Sequence, residues 1–247
     1  MFSRSFLEIF NHDKCFRLRL WSYNFFSKRG IDFFDVVRNS LSPFYQTVVR
    51  DHPHGVTYEK PLSSSLVRGR RLSEAETDPF VGLKVIDFVE AIFCDQTETT
   101  KQKIVSDIVM QALKAFPDEM LPMPGAAELV HTFSNHGFKI CVCSSASTSA
   151  IHLGLQKLGI KACISLIISG DDVTFGKPHP EPYLKTIKTL GIPSKQSLAF
   201  EDSHPGLKSA TSAGIPTILV NKNVLDIQFT GAVDMVKTMC KFSIVSN

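Results

Sequence analysis

From Pro122 onward the chain alternates between two hydrophobic periods. After Pro124, the residues Ala126, Leu129, Val130 and Phe133 recur at helical spacing, and Gly137 follows as a stop signal. Phe138–Cys143 then reads as an apolar strand, and a helix is predicted from Thr148 to Leu158. The alternation continues with strand Leu166–Ile168, helix Glu181–Leu190, strand Ser197–Phe200, helix Pro205–Ala213 and strand Pro216–Val220. Strands and helices of these lengths in alternation predict βαβ units and a parallel sheet. The strand runs are apolar throughout, the pattern of a sheet covered on both faces. An α/β fold with a Rossmann-like parallel sheet is therefore expected.

Between Leu41 and Met120 the pattern changes and no strand alternation is convincing. Lys101–Phe116 places Ile104, Ile108 and Ala112 on one helical face, with Val105, Val109 and Phe116 beside it. This predicts a helical insertion over residues 41–120, with its return hinge near Leu121–Pro124. The core would then comprise residues 31–40 and 121–247, with residues 1–30 as an N-terminal extension lacking defined structure.

With 247 residues, 43% hydrophobic and 21% charged, the chain can bury one large or two small cores. Its net charge of +3 is unevenly placed, because the first thirty residues hold six Lys/Arg against Glu8 and Asp13. The rest carries 21 basic and 22 acidic side chains, a balance that offers nucleic acid no electrostatic footing. The cysteines (Cys15, Cys94, Cys141, Cys143, Cys163 and Cys240) form no C-x-x-C pair and read as reduced thiols of an intracellular protein. No apolar run approaches the ~20 residues that span a bilayer, so no membrane partner is expected. A cytoplasmic location is the simplest reading. The basic, acid-poor N-terminus also has a faintly transit-like composition.

In open α/β sheets, ligands gather at the carboxyl ends of the strands. Ser144 and Ser145, Lys177 in Gly-Lys-Pro, and Glu201-Asp202 all fall at or just beyond such ends. Together they supply a hydroxyl, a cation and a carboxylate pair, the equipment for holding a phosphoryl group beside a divalent metal. Each residue also has a plainer role open to it. Ser144 could simply end a strand, Lys177 could be a solvated lysine, and Asp202 could sit at the N-terminus of the following helix. Asp171 and Asp172 read as solvated loop charges.

Four segments carry a family likeness: Met-Pro-Gly-Ala-Ala-Glu-Leu-Val, Lys-Ile-Cys-Val-Cys-Ser-Ser-Ala-Ser, Gly-Lys-Pro-His-Pro-Glu-Pro-Tyr and Phe-Glu-Asp-Ser-His-Pro-Gly. In this order, the stretch from Pro122 onward resembles the haloacid dehalogenase superfamily, in its phosphatase and phosphomutase branch with a helical cap. The resemblance implies that the Ser144 hydroxyl and the Ser145 N–H hold phosphate, where neutral donors suit an oxyanion that gains charge. It implies that Lys177 neutralises phosphate together with the attacking carboxylate. Asp202 becomes a Mg²⁺ ligand, and Glu201 either joins it or orients a metal-bound water or Lys177.

The family's first motif, Asp-x-Asp-Gly on the first strand, is imperfect here. Its nearest counterpart is Ile31-Asp-Phe-Phe-Asp-Val-Val-Arg-Asn-Ser40. Aligned without gaps, Asp32 takes the position of the nucleophile and first metal ligand, Phe34 that of the acid–base aspartate, and Asp35 that of the glycine. A two-residue deletion would instead make Asp35 a remnant of either aspartate. The gapless alignment keeps a family-like distance to Gly69, which resembles a cap glycine whose neighbours touch substrate. Losing the acid–base partner removes assistance worth ~10²–10⁴-fold.

The leading expectation is thus a Mg²⁺-dependent phosphatase that acts on a small phosphorylated metabolite through a phospho-aspartate on Asp32. The alternatives are a phosphate-binding pseudoenzyme and a phosphomutase of the β-phosphoglucomutase kind. Dehalogenase chemistry is disfavoured by the Glu-Asp pair. Substrate choice is expected to lie in the cap, from Arg68 to Glu74 and in Leu41–Arg50.

Overall fold

The structure is a computed structural model that describes residues 4–11, 14–21, 80, 82–119, 125–220, 232, 234–236 and 242–246. Two parallel ladders form the α/β core. In the first, β3 (Ile140–Cys143) pairs with β4 (Ile164–Ile168). In the second, β5 (Ala199–Glu201) pairs with β6 (Thr217–Val220), which pairs with β7 (Asp234–Val236). Among the described residues the ladders share no strand pairing with each other.

The connecting helices follow the predicted periods. Helix α3 (Ala126–Asn135) enters β3, α4 (Thr148–Lys157) joins β3 to β4, α5 (Glu181–Leu190) precedes β5, and α6 (His204–Ser212) joins β5 to β6. Their ends are set by local chemistry. The Ser147 hydroxyl accepts from the Ala150 N–H, and the Ser203 hydroxyl accepts from the Gly206 N–H, so each serine caps its helix. Gly191 closes α5 at φ +65°, a backbone that strains side-chain-bearing residues.

Burial is deepest in the second ladder. Ile218, Leu219 and Val220 of β6 are fully buried, with Leu207 and Ala210 of α6 beside them in the core. A cluster of Tyr183, Ala199, Ala210, Ala213 and Ile215 also receives Cys143 from the tip of β3. Packing at this point joins the two ladders, and it lies at the strand ends where the candidate site residues sit.

The described part of residues 41–120 contains α1 (Val85–Ile92) and α2 (Glu98–Glu119). Val85, Phe88 and Val89 pack against Ile104 and Ile108, the face that the helical period predicted. Lys101 is buried at this junction and bonds to Glu90 at 2.6 Å and Glu98 at 3.0 Å. No described helix is long and apolar enough to cross a membrane.

The N-terminal region differs from expectation. Residues read as an extension contain β1 (Arg4–Asn11) and β2 (Lys14–Trp21), an antiparallel hairpin whose second strand also pairs with β8 (Phe242–Ser246). The sequences Arg-Ser-Phe-Leu-Glu-Ile-Phe-Asn and Lys-Cys-Phe-Arg-Leu-Arg-Leu-Trp are rich in residues that favour strands. The charge and composition of the segment had masked that pattern. Ile31–Ser40, and with it Asp32, Phe34 and Asp35, lies outside the described residues, as do Gly69 and the Arg68–Glu74 and Leu41–Arg50 segments.

Truncating Ile218 to Ala should lower unfolding free energy by about 2–5 kcal/mol in urea titrations, because a fully buried side chain leaves a cavity. Met110→Ala, at a position 51% exposed, should change it by less than about 0.5 kcal/mol.

Candidate active site

Three loops leave the carboxyl ends of β3, β4 and β5. At β3 the ladder runs one residue past the strand, with the Ser144 N–H donating to the Ile168 carbonyl at 2.9 Å. The Ser144 hydroxyl accepts from the Ala146 N–H at 3.2 Å, and the Ser145 hydroxyl donates to the Gly82 carbonyl at 2.7 Å. Gly170, after β4, packs so closely on the Ser145 carbonyl that any side chain there would overlap the backbone. The first two loops therefore hold one another in place.

Lys177 is carried by the long loop after β4. The turn before it is pinned by Glu181, whose carboxylate accepts from the Thr174 and Phe175 N–H groups at 2.9 and 2.8 Å. Those backbone bonds, with the Phe175 bond the stronger, lower the Glu181 pKa. The Lys177–Pro178 peptide is cis.

Only 7% of Lys177 is exposed, so it is not a solvated surface lysine. Its ammonium donates to Oε1 of Glu201, the last residue of β5, which is 2% exposed. The Tyr183 phenol, from α5, donates to the same oxygen, and the Lys177 nitrogen stands 5.3 Å from the Tyr183 ring centroid. The other Glu201 oxygen lies against Gly206 in the first turn of α6, where a Cβ would overlap the carboxylate. One Glu201 oxygen is thus engaged by both Lys177 and Tyr183.

The charges set one another. Burial opposes the Lys177 charge, but Glu201, Cys143 and Asp202 outweigh it and raise the pKa above its ordinary 10.5. Burial and then the Glu201 charge push Tyr183 well above 10.0, so the phenol stays protonated and remains a donor. Burial pushes the Cys143 thiol up to about 11, which keeps it neutral beside the ion pair. At neutral pH the charges acting on Lys177 therefore come from Glu201 and Asp202 at the tip of β5, with the neutral Cys143 thiol beside them from β3.

Asp202 follows Glu201 and is 8% exposed, at a strand tip that also delivers the Ser203 cap. Among the described residues, no group of three His, Cys, Asp or Glu side chains is placed to hold a metal ion. The donor set still suits a hard cation such as Mg²⁺, which takes a carboxylate or two and completes its shell with water and phosphate oxygens. Asp202 could supply that carboxylate, whereas Oε1 of Glu201 is already engaged by two donors. Asp171 and Asp172 serve the scaffold: Asp171 accepts from the Thr148 N–H at 2.8 Å, and Asp172 from the Ser169 N–H at 2.8 Å.

Two contributors escaped the sequence reading. Gly82, at φ +89°, sits where a Cβ would come within 2.6 Å of the Ser203 hydroxyl. Lys84 donates to the Val173 carbonyl at 3.0 Å, and Gly176 packs on its stem. The Gly82–Lys84 segment therefore touches all three loops. Its only sequence signal was a glycine two residues ahead of a lysine at a helix start. Tyr183 was visible in the Gly-Lys-Pro-His-Pro-Glu-Pro-Tyr run, six residues past Lys177, but the sequence reading gave it no role.

Both raised pKa values bind protons more tightly in the folded chain. Their stabilisation is complete below about pH 10 and is lost as pH climbs through the folded-state values. The thermal midpoint should fall above about pH 10 in wild type, and that fall should be smaller in Lys177→Met. At neutral pH the variant should lose about 3–5 kcal/mol, because Glu201 is left buried without its cation.

The fold has many solved counterparts. CbbY from Rhodobacter sphaeroides in complex with phosphate superimposes with a TM-score of 0.65 at 17% identity, covering 84% of this chain and 88% of that one. Among curated proteins, the pyrophosphatase PpaX of Oceanobacillus iheyensis is 25% identical over 157 residues, 64% of this chain and 72% of the relative. Validoxylamine A 7'-phosphate phosphatase of Streptomyces hygroscopicus subsp. limoneus is 28% identical over 167 residues, 66% of this chain and 70% of that protein. Some relatives are covered over much less of their length: 40% for a bifunctional riboflavin kinase/FMN phosphatase and 10% for the chloroplastic protein SUPPRESSOR OF QUENCHING 1, both of Arabidopsis thaliana. The family model for haloacid dehalogenase-like hydrolases matches residues 63–220, which take in every described site residue and begin after Asp32. The chain belongs to the haloacid dehalogenase-like hydrolase family.

Proposed function

We propose that the protein is a phosphoric monoester hydrolase acting on a small phosphorylated metabolite, with Asp32 as nucleophile and a cap within residues 41–120 selecting the substrate. The observation that carries this reading is the buried Lys177 ammonium, bonded to Glu201 and with Asp202 also favouring its charge. A buried cation at the meeting of three strand-end loops is costly unless it serves an anion. The phosphatase relatives and the phosphate complex of CbbY support the substrate class.

In this reading the Ser144 hydroxyl and the Ser145 N–H hold two phosphoryl oxygens, and Lys177 neutralises the charge shared by phosphate and attacking carboxylate. An Asp32 oxygen bonds to phosphorus as the ester P–O bond breaks. The leaving oxygen takes its proton from solvent, because Phe34 stands at the acid–base position. Water then cleaves the acyl phosphate and frees Asp32. Mg²⁺, when bound at Asp202, supplies charge neutralisation at the phosphoryl oxygens.

A second reading is favoured by one observation: the family match starts at residue 63 and leaves out the Asp32 segment. In that reading the loops bind phosphate without turnover.

Phosphate release should be measured over sugar and nucleotide monophosphates with Mg²⁺. Lys177→Ala, Ser144→Ala and Asp202→Asn should each lower kcat/KM about 10²-fold or more. Wild-type release by Lys177→Ala would defeat the hydrolase reading. No turnover by wild type, together with a thermal midpoint raised by phosphate and Mg²⁺, would favour the binding protein.

A further inference from the structure

Tyr183 is buried, ionisable and unused by the chemistry above. It lies on α5, in the helix turn that follows the Lys177 loop, with Cys143, Ala199 and Ala210 in the same cluster. A phenylalanine would fill this apolar place equally well, and burying a hydroxyl without a partner is costly. The hydroxyl has a specific partner, the one Glu201 oxygen that also receives Lys177.

We propose that Tyr183 is a positioning residue for Lys177: its phenol fixes the Glu201 carboxylate while its ring face borders the ammonium, so the lysine has a single seat. Three contacts define that seat. Glu201 Oε1 takes both donors, Gly206 backs the other carboxylate oxygen, and the ring centroid lies 5.3 Å from the lysine nitrogen. Without the phenol, the carboxylate keeps its ion pair but loses the bond that stops it turning. The burial that keeps the Tyr183 proton in place makes the phenol a donor at every physiological pH.

The importance of that seat for phosphate rests on the reading of Lys177 as the phosphate cation, so the test separates the two. Tyr183→Phe keeps the ring and removes only the hydroxyl. Its effect on Lys177 is read by the rate of amine labelling at that residue in peptide mass spectra across pH 7–10. A lost hydrogen bond to a charged group corresponds to about tenfold, so labelling should speed up by about that factor. Orthophosphate affinity by calorimetry should weaken similarly. Unchanged Lys177 labelling would overturn the positioning role, whatever happens to phosphate. Faster labelling with phosphate binding indifferent to both Tyr183→Phe and Lys177→Ala would uphold the positioning role and remove the phosphate reading. Should Tyr183→Phe fail to fold, 3-fluorotyrosine incorporation makes the phenol a stronger donor, and Lys177 labelling should slow. No change there would equally overturn the proposal.

Discussion

The site depends on a charge pair held almost wholly out of water. Lys177 and Glu201 are both almost fully buried, and their attraction must offset the cost of taking two ions out of solvent. Such pairs hold only when every remaining lone pair and proton is satisfied. Here the phenol of Tyr183 is a second donor to Glu201, Gly206 leaves room for the other carboxylate oxygen, and the aromatic face of Tyr183 borders Lys177. A pair built in this way contributes less to stability than an apolar replacement could. Its retention makes sense where a cation must be held at a defined place in a dry pocket.

That constraint explains features that otherwise look unrelated. Gly206 has no side chain because the Glu201 carboxylate occupies the space. Glu181 pins the turn that presents Lys177, so the lysine enters the core along one path. Gly82 must adopt a left-handed backbone to lie against Ser203 while its carbonyl receives Ser145. The segment from Gly82 to Lys84 therefore meets the α/β core at the strand-end loops.

Much of this was legible from residue order. Apolar runs alternating with helical periods predicted β3 to β6 and the helices between them within a few residues, because core strands and amphipathic helices leave distinct periods. Ser144, Lys177, Glu201 and Asp202 stood out because strand ends concentrate chemistry. Other features were not legible, for identifiable reasons. The β1–β2 hairpin was hidden by its basic composition, and its pairing with β8 is a contact across nearly the whole chain. Tyr183 lay within an apolar helical face, and nothing local marks an aromatic whose hydroxyl reaches a carboxylate 18 positions away. Gly82 was not singled out, because nothing local to it marks a glycine that presses on a serine over a hundred positions away.

The central claim is that the loops after β3, β4 and β5 cradle one anion against Lys177. A crystal structure of the protein soaked in millimolar orthophosphate tests it most directly. A tetrahedral anion bonded to both the Ser144 hydroxyl and the Lys177 ammonium, with the Asp202 carboxylate facing it, is the result this account predicts. Ser144, Lys177 and Asp202 opening onto separate cavities, with the anion bound elsewhere, would contradict it.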